Sequence, residues 1–155
     1  MMNLIGTYEC TLDSKGRILL PAGIKKQLDS ILHEGFVLKR SVFQPCLELH
    51  PMGEWNQTMG KINKLNRFVK KNNDFIRQFT AGLKNVEIDT SGRLQVSKDL
   101  IQFGKLEKNI VVAASINVIE IWDKSLYEEA VNVNDEDFAN LAEEVMGNMS
   151  EDELS

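Results

Sequence analysis

The 155-residue sequence predicts an α+β fold, mainly β, in which one strand-turn-strand-helix unit is built twice. Three observations predict it: an internal repeat, short apolar runs suited to strands, and Gly- or Pro-marked turns between them. The repeat pairs Leu12-Asp13-Ser14-Lys15-Gly16-Arg17-Ile18 with Ile88-Asp89-Thr90-Ser91-Gly92-Arg93-Leu94 at an offset of 76 residues. A second anchor follows at an offset of 72: Leu47-Glu48-Leu49-His50-Pro51 matches Ile119-Glu120-Ile121-Trp122-Asp123, and Trp55 matches Tyr127. A lone Asp-x-x-Gly-Arg match would mean little. Two anchors in one order with similar separation mean duplication.

The elements follow in order. Thr7 to Leu12 reads as a strand, and Asp13-Ser14-Lys15-Gly16 as a hairpin turn in which Asp13 accepts backbone hydrogen bonds and Gly16 takes the left-handed position. Arg17 to Leu20 makes the return strand. Pro21 suits a helix start, and Ile24 and Leu28 give the short helix after it one apolar face. Phe36 to Lys39 and Cys46 to His50 supply two more strands. The second copy repeats the scheme with strands over 85–89 and 93–96, a helix capped by Ser97, and strands over 109–114 and 118–122. Between the copies, the apolar spacing from Trp55 to Phe79 predicts two helices broken near Asn72-Asn73, their basic residues Lys61, Lys64, Arg67, Lys70, Lys71 and Arg77 forming a solvated face or a second nucleic-acid surface. These boundaries define residues 6–53 and 82–125 as the repeats, 54–81 as a helical connector and 128–155 as a tail.

Charge is divided unevenly. Residues 1–127 hold all 18 Lys and Arg against 13 Asp and Glu, a balance of +5; residues 128–155 hold 10 acids and no base. The net −5 therefore hides a basic body. In the tail, Phe138, Leu141, Val145 and Met149 allow a short amphipathic helix, with disorder expected beyond Asn148.

No apolar run approaches the roughly 20 residues that span a bilayer, and Met1 to Gly6 lacks the features of a secretory signal, so a cytoplasmic protein with no membrane partner is expected. Cys10 and Cys46 have no ligand-spaced partners, and two buried free thiols are expected rather than a zinc site or a disulfide. Nothing in the spacing or surroundings of Cys10 with His33 or His50 suggests an activated thiolate, so no catalytic residue, metal or cofactor is assigned.

The doubled turn, with its run Asp13-Ser14-Lys15-Gly16-Arg17-Ile18-Leu19-Leu20-Pro21-Ala22, resembles the MraZ family of bacterial transcriptional regulators over roughly residues 4–127, including Glu120 to Asp123. The resemblance implies two SpoVT/AbrB-like swapped-hairpin units forming one pseudo-symmetric β-barrel with connecting helices. It further implies a homo-oligomeric ring, nucleoid association, and binding of repeated promoter motifs, with regulation, usually repression, of the cell-division and cell-wall gene cluster. By matching position, Lys15, Arg17 and Arg93 are the DNA-binding residues, supported by Asp13, Gly16, Asp89 and Gly92 in the turns. The second copy departs from the family pattern at Ser91 and Ser97, where a basic residue and a proline are absent, which leaves the contact by Arg93 open.

An arginine on a β-ribbon can donate two hydrogen bonds to a guanine edge. The structural alternative pairs Arg17 with Asp13 across the turn. A ring presenting several hairpins would raise affinity through effective concentration, with DNA repeats spaced about one helical turn, or 10 base pairs. The competing function is an antitoxin-like protein-interaction module with weak or no DNA binding, in which Trp55, Trp122 and Tyr127 anchor a partner instead of packing the barrel ends.

Overall fold

A computed structural model describes residues 2–148. The chain divides after Lys124 into two compact units. In the first, strands β1 (Thr7–Thr11) and β2 (Arg17–Leu19) precede helix α1 (Ala22–Leu28) and a 3-10 turn, Asp29–Glu34. The hairpin β3 (Phe36–Arg40) and β4 (Leu47–Pro51) leads into connector helices α2 (Met52–Ile62) and α3 (Lys70–Phe79). The second copy then gives β5 (Lys84–Val86), β6 (Arg93–Gln95), α4 (Lys98–Gly104), β7 (Asn109–Ser115) and β8 (Val118–Asp123). The fold is a mixture of helices and antiparallel strands.

Strand pairing departs from the local hairpin expected of each repeat. Between β1 and β2 there is an isolated bridge, Leu12↔Ile18, but no ladder among the described residues; β1 instead pairs along its length with β7 of the second copy, Thr7 opposite Ala113. Reciprocally, β5 pairs with β3 of the first copy, Phe36 opposite Val86. The sheet order is β1-β7-β8-β4-β3-β5, and β2 and β6 form a separate ribbon. Among the described residues the hydrogen-bonded ladder ends at β1 and β5, so it does not close into a barrel. The physical reason for the exchange is the shared core. Ile18, Ile24, Leu28, Leu38 and Leu49 of one copy and Leu94, Leu100, Ile110, Val112 and Ile119 of the other enter a single fully buried cluster. Each such side chain contributes about 1.5–3 kcal/mol when removed from water.

Pro21, with φ −55°, precedes α1 and presets its first turn. Ser97 holds the matching N-cap place before α4 in extended backbone, as expected, but its hydroxyl makes no capping hydrogen bond to the helix backbone. The connector break also lies elsewhere than expected. It falls between Ile62 and Lys70, while Asn72 and Asn73 lie inside α3 and seal the loop: their side-chain amides donate to the carbonyls of Asn66 (2.9 Å) and Arg67 (2.6 Å). Asparagine here bridges backbone instead of breaking the helix.

The connector rests on the sheet's other face. Trp55 is buried, stacks on Phe79 at 5.7 Å and meets His50 edge-on at 5.3 Å. Lys39, fully buried, lies 4.6 Å from the Phe79 ring centre, donates to the Arg40 carbonyl at 2.6 Å and pairs with Glu48 at 3.4 Å. Glu48 also holds His50 at 3.0 Å. Burial would raise the Glu48 carboxyl, but the His50 hydrogen bond and the Lys39 charge outweigh it and hold the group below its usual value. Trp122 is buried too, its indole N–H donating to Glu120 at 3.0 Å.

In the second unit, α5 (Lys124–Val131) runs from the boundary and α6 (Asp135–Met146) follows. Asn134 caps α6 by accepting from the Asp137 N–H at 2.8 Å, and Asp135, Glu136 and Asp137 suit the positive end of its dipole. Phe138, Leu141 and Val145 of α6 are exposed. Met149 and the stretch beyond Asn148 lie outside the described residues. No helix among the described residues is long and apolar enough to cross a membrane.

Candidate nucleic-acid interface

Each repeat folds its turn around one carboxylate. In turn 1, Asp13 Oδ1 accepts from the backbone N–H groups of Lys15 and Arg17, each at 2.9 Å, and the Gly16 N–H donates to the Asp13 carbonyl at 3.0 Å. In turn 2, Asp89 Oδ1 accepts from Ser91 and Arg93 at the same 2.9 Å, and the Gly92 N–H donates to the Asp89 carbonyl at 2.9 Å. The backbone N–H of the arginine is the first cause that lowers each carboxyl below its ordinary 3.8. Gly16 and Gly92 close the turns at φ 78° and 88°, a conformation that disfavours a Cβ.

The two turns are joined by the β2–β6 ribbon. Ile18 lies opposite Leu94 at its centre, with Arg17 opposite Gln95 and Leu19 opposite Arg93 on either side. The carbonyls of Gly16 and Gly92 accept from Val96 (2.8 Å) and Leu20 (2.9 Å), extending the ribbon at both ends. Strand alternation sends Ile18, Leu20, Leu94 and Val96 into the core, where all are buried. It leaves Arg17, Leu19, Arg93 and Gln95 on one outward face. Residues 76 apart in sequence thus share a surface, with Lys15 exposed beside it.

The two arginines are held differently. Arg17 donates from Nε to Asp13 Oδ2 at 2.9 Å, its side chain 38% exposed. Its terminal nitrogens make no hydrogen bond among the described residues, so the planar fork stays available while the Nε is anchored. Arg93 is exposed and forms no ion pair among the described residues.

A family model described as "MraZ protein, putative antitoxin-like" matches twice in tandem, over residues 4–78 and 79–149. A transcriptional regulator MraZ of Flavobacterium psychrophilum is 62% identical over 153 residues, covering 99% of this chain and 98% of its own length. Another, of Christiangramia forsetii, is 59% identical over the whole of both chains, and one of Bacteroides thetaiotaomicron is 32% identical over 94% of each. The chain belongs to the MraZ family of transcriptional regulators.

For this MraZ-family chain, the ribbon brings together the seven residues expected from sequence: Asp13, Lys15, Gly16 and Arg17 from one repeat, Asp89, Gly92 and Arg93 from the other. Sequence reading missed Gln95 and Leu19 on the same face, and Lys25, whose aliphatic stem lies against Gly92 so closely that a Cβ there would sit 2.8 Å from it. The signal was present in the repeat alignment. Gln95 matches Leu19 and Lys25 matches Ile101, positions where the copies differ in polarity.

The thiols and histidines lie outside the β2 and β6 strands. Cys46 is buried as expected, but Cys10 is only partly so, because β1 is an edge strand. Burial pushes Cys10 up to about 11 and Cys46 up to about 12, so neither is a thiolate near neutrality. Among the described residues no three His, Cys, Asp or Glu side chains cluster to hold a metal.

Proposed function

We propose that this chain is a sequence-specific regulator that binds double-stranded promoter DNA through the outer face of the β2–β6 ribbon. The observation that supports the reading is the shared face itself: the ribbon aims Arg17 and Arg93 the same way, with buried apolar residues behind them. A two-stranded ribbon fits the major groove, and an arginine fork reads guanine there. Arg17, steadied through Nε by Asp13, presents its terminal nitrogens to a base edge. Lys15 contacts DNA beside it, and Arg93 adds a second donor. Asp13 and Asp89 shape the turns and stay off the DNA, because phosphate repels a carboxylate.

In this reading residues 6–53 and 82–125 are AbrB-like repeats built around one pseudo-symmetric core, residues 54–81 connect them, and the acidic tail over 128–155 keeps the assembly soluble. Several copies in a ring engage repeated motifs at once and repress the cell-division and cell-wall gene cluster, in the cytoplasm at the nucleoid. The protein acts without catalysis or cofactor.

A gel shift with the DNA upstream of its own gene, comparing wild type with Arg17→Ala, tests the reading. Loss of the shifted band in the variant is expected. Equal retention would remove the site, and absence of any binding at low salt would favour the protein-interaction module instead. Inserting half a helical turn between DNA repeats should abolish tight binding; indifference to the insertion would exclude the multivalent ring.

A further inference from the structure

We infer that Gln95, supplied by the second repeat, is a positioning residue for the first repeat's DNA-reading turn, so that turn 1 is the braced reading head and turn 2 the compliant one. The inference rests on the proposed DNA-binding role of the ribbon face. Gln95 Nε2 donates to the Lys15 carbonyl at 2.7 Å and lies 3.4 Å from the Val96 carbonyl. Both neighbours are carbonyls, which requires the amide nitrogen, not the oxygen, to face them. The bond crosses between repeats and holds the residue at the tip of turn 1.

A second observation fits the same brace. A Cβ built on Gly16 would come within 3.1 Å of Gln95 Nε2 and 3.0 Å of the Val96 carbonyl, so the glycine leaves the space through which the amide reaches Lys15. The pseudo-symmetric position in turn 2 cannot do this. There Leu19 lies opposite Arg93, 59% exposed, with no polar atom to reach the Ser91 carbonyl. Turn 2 also lacks the arginine-to-aspartate side-chain bond that turn 1 has between Arg17 and Asp13. Two hydrogen bonds therefore hold Lys15 and Arg17 that Ser91 and Arg93 lack, and pre-ordering groups before binding lowers the entropy lost on contact.

Gln95→Leu tests this, because leucine is what the other repeat carries at the equivalent place. Binding of the upstream promoter duplex is measured for wild type, Gln95→Leu, the pair Lys15→Ala with Arg17→Ala, and the triple variant. Hydrogen exchange is followed over the peptides 12–18 and 88–94. Gln95→Leu should weaken binding by about tenfold, the scale of one hydrogen bond, and speed exchange over 12–18 while leaving 88–94 unchanged. The triple variant should bind no worse than the double, since the brace has nothing left to position. Additive loss in the triple would mean that Gln95 itself touches DNA, and wild-type binding by Gln95→Leu would mean that the brace is idle; either overturns the inference. If the double variant bound like wild type, the DNA-binding role of turn 1 would fall first, whatever exchange showed for Gln95.

Discussion

Turn 1 and turn 2 share a backbone and differ in what surrounds it. Both wrap an aspartate carboxylate around two N–H groups, both close on a left-handed glycine, and both feed an apolar residue, Ile18 or Leu94, into the fully buried pivot of one ribbon. Outside that frame the likeness ends. Turn 1 carries Lys15, an anchored Arg17 and a cross-repeat amide; turn 2 carries Ser91, an unanchored Arg93 and a leucine opposite it. What folds a turn has been kept in both copies, and what a turn can grip has diverged.

The pivot gives the largest expected effect. Ile18→Ala and Leu94→Ala should each destabilise the fold by about 2–5 kcal/mol and by similar amounts, read by denaturant unfolding. A wide gap between them would break the symmetry of the frame. Next come the arginines. Arg17→Ala should cost about 1–3 kcal/mol of specific DNA affinity, measured by anisotropy at fixed salt, with Arg93→Ala clearly milder. Equal losses would erase the distinction between the turns. Leu19→Gln sharpens it from the other side, because an amide opposite Arg93 can brace turn 2; a gain of about 0.5–1.5 kcal/mol in affinity is expected, and no gain would show that turn 2 is not limited by its looseness.

The smallest effect is in pH. Asp13 and Asp89 are depressed carboxyls, so their hold on the turns is complete above 3.8 and is lost as pH falls through their lowered values. Neither turn should change between pH 8 and 5 on their account. Carboxyl carbon shifts should report midpoints below 3.8 for both; an ordinary midpoint for Asp89 alone would carry the difference between the turns into the backbone.

The turns were legible because their chemistry is local: Asp, Gly and Arg at fixed spacing fold a few residues, and a duplicated motif shows itself by comparison of the chain with itself. Strand existence was legible for the same reason. Partner choice was not, since β1 finds β7 through burial of a core common to both repeats, and nothing near Thr7 names Ala113. Asn72 and Asn73 misled because asparagine disfavours helix interiors, yet here their amides satisfy loop carbonyls. Gln95 escaped notice as one polar residue in a short strand; only the ribbon register sets it across from Arg17.

The exchange of first strands has a temporal side. Thr7 cannot meet its neighbour until Ala113 has been made, so a nascent first half waits for most of the second repeat before its sheet is complete. Contacts so distant along the polymer slow the search and couple the halves, and a fragment ending in the connector would lack the strand that covers β1. The β2–β6 ribbon likewise takes one strand from each half, so its outward face is complete only after Gln95 has been made.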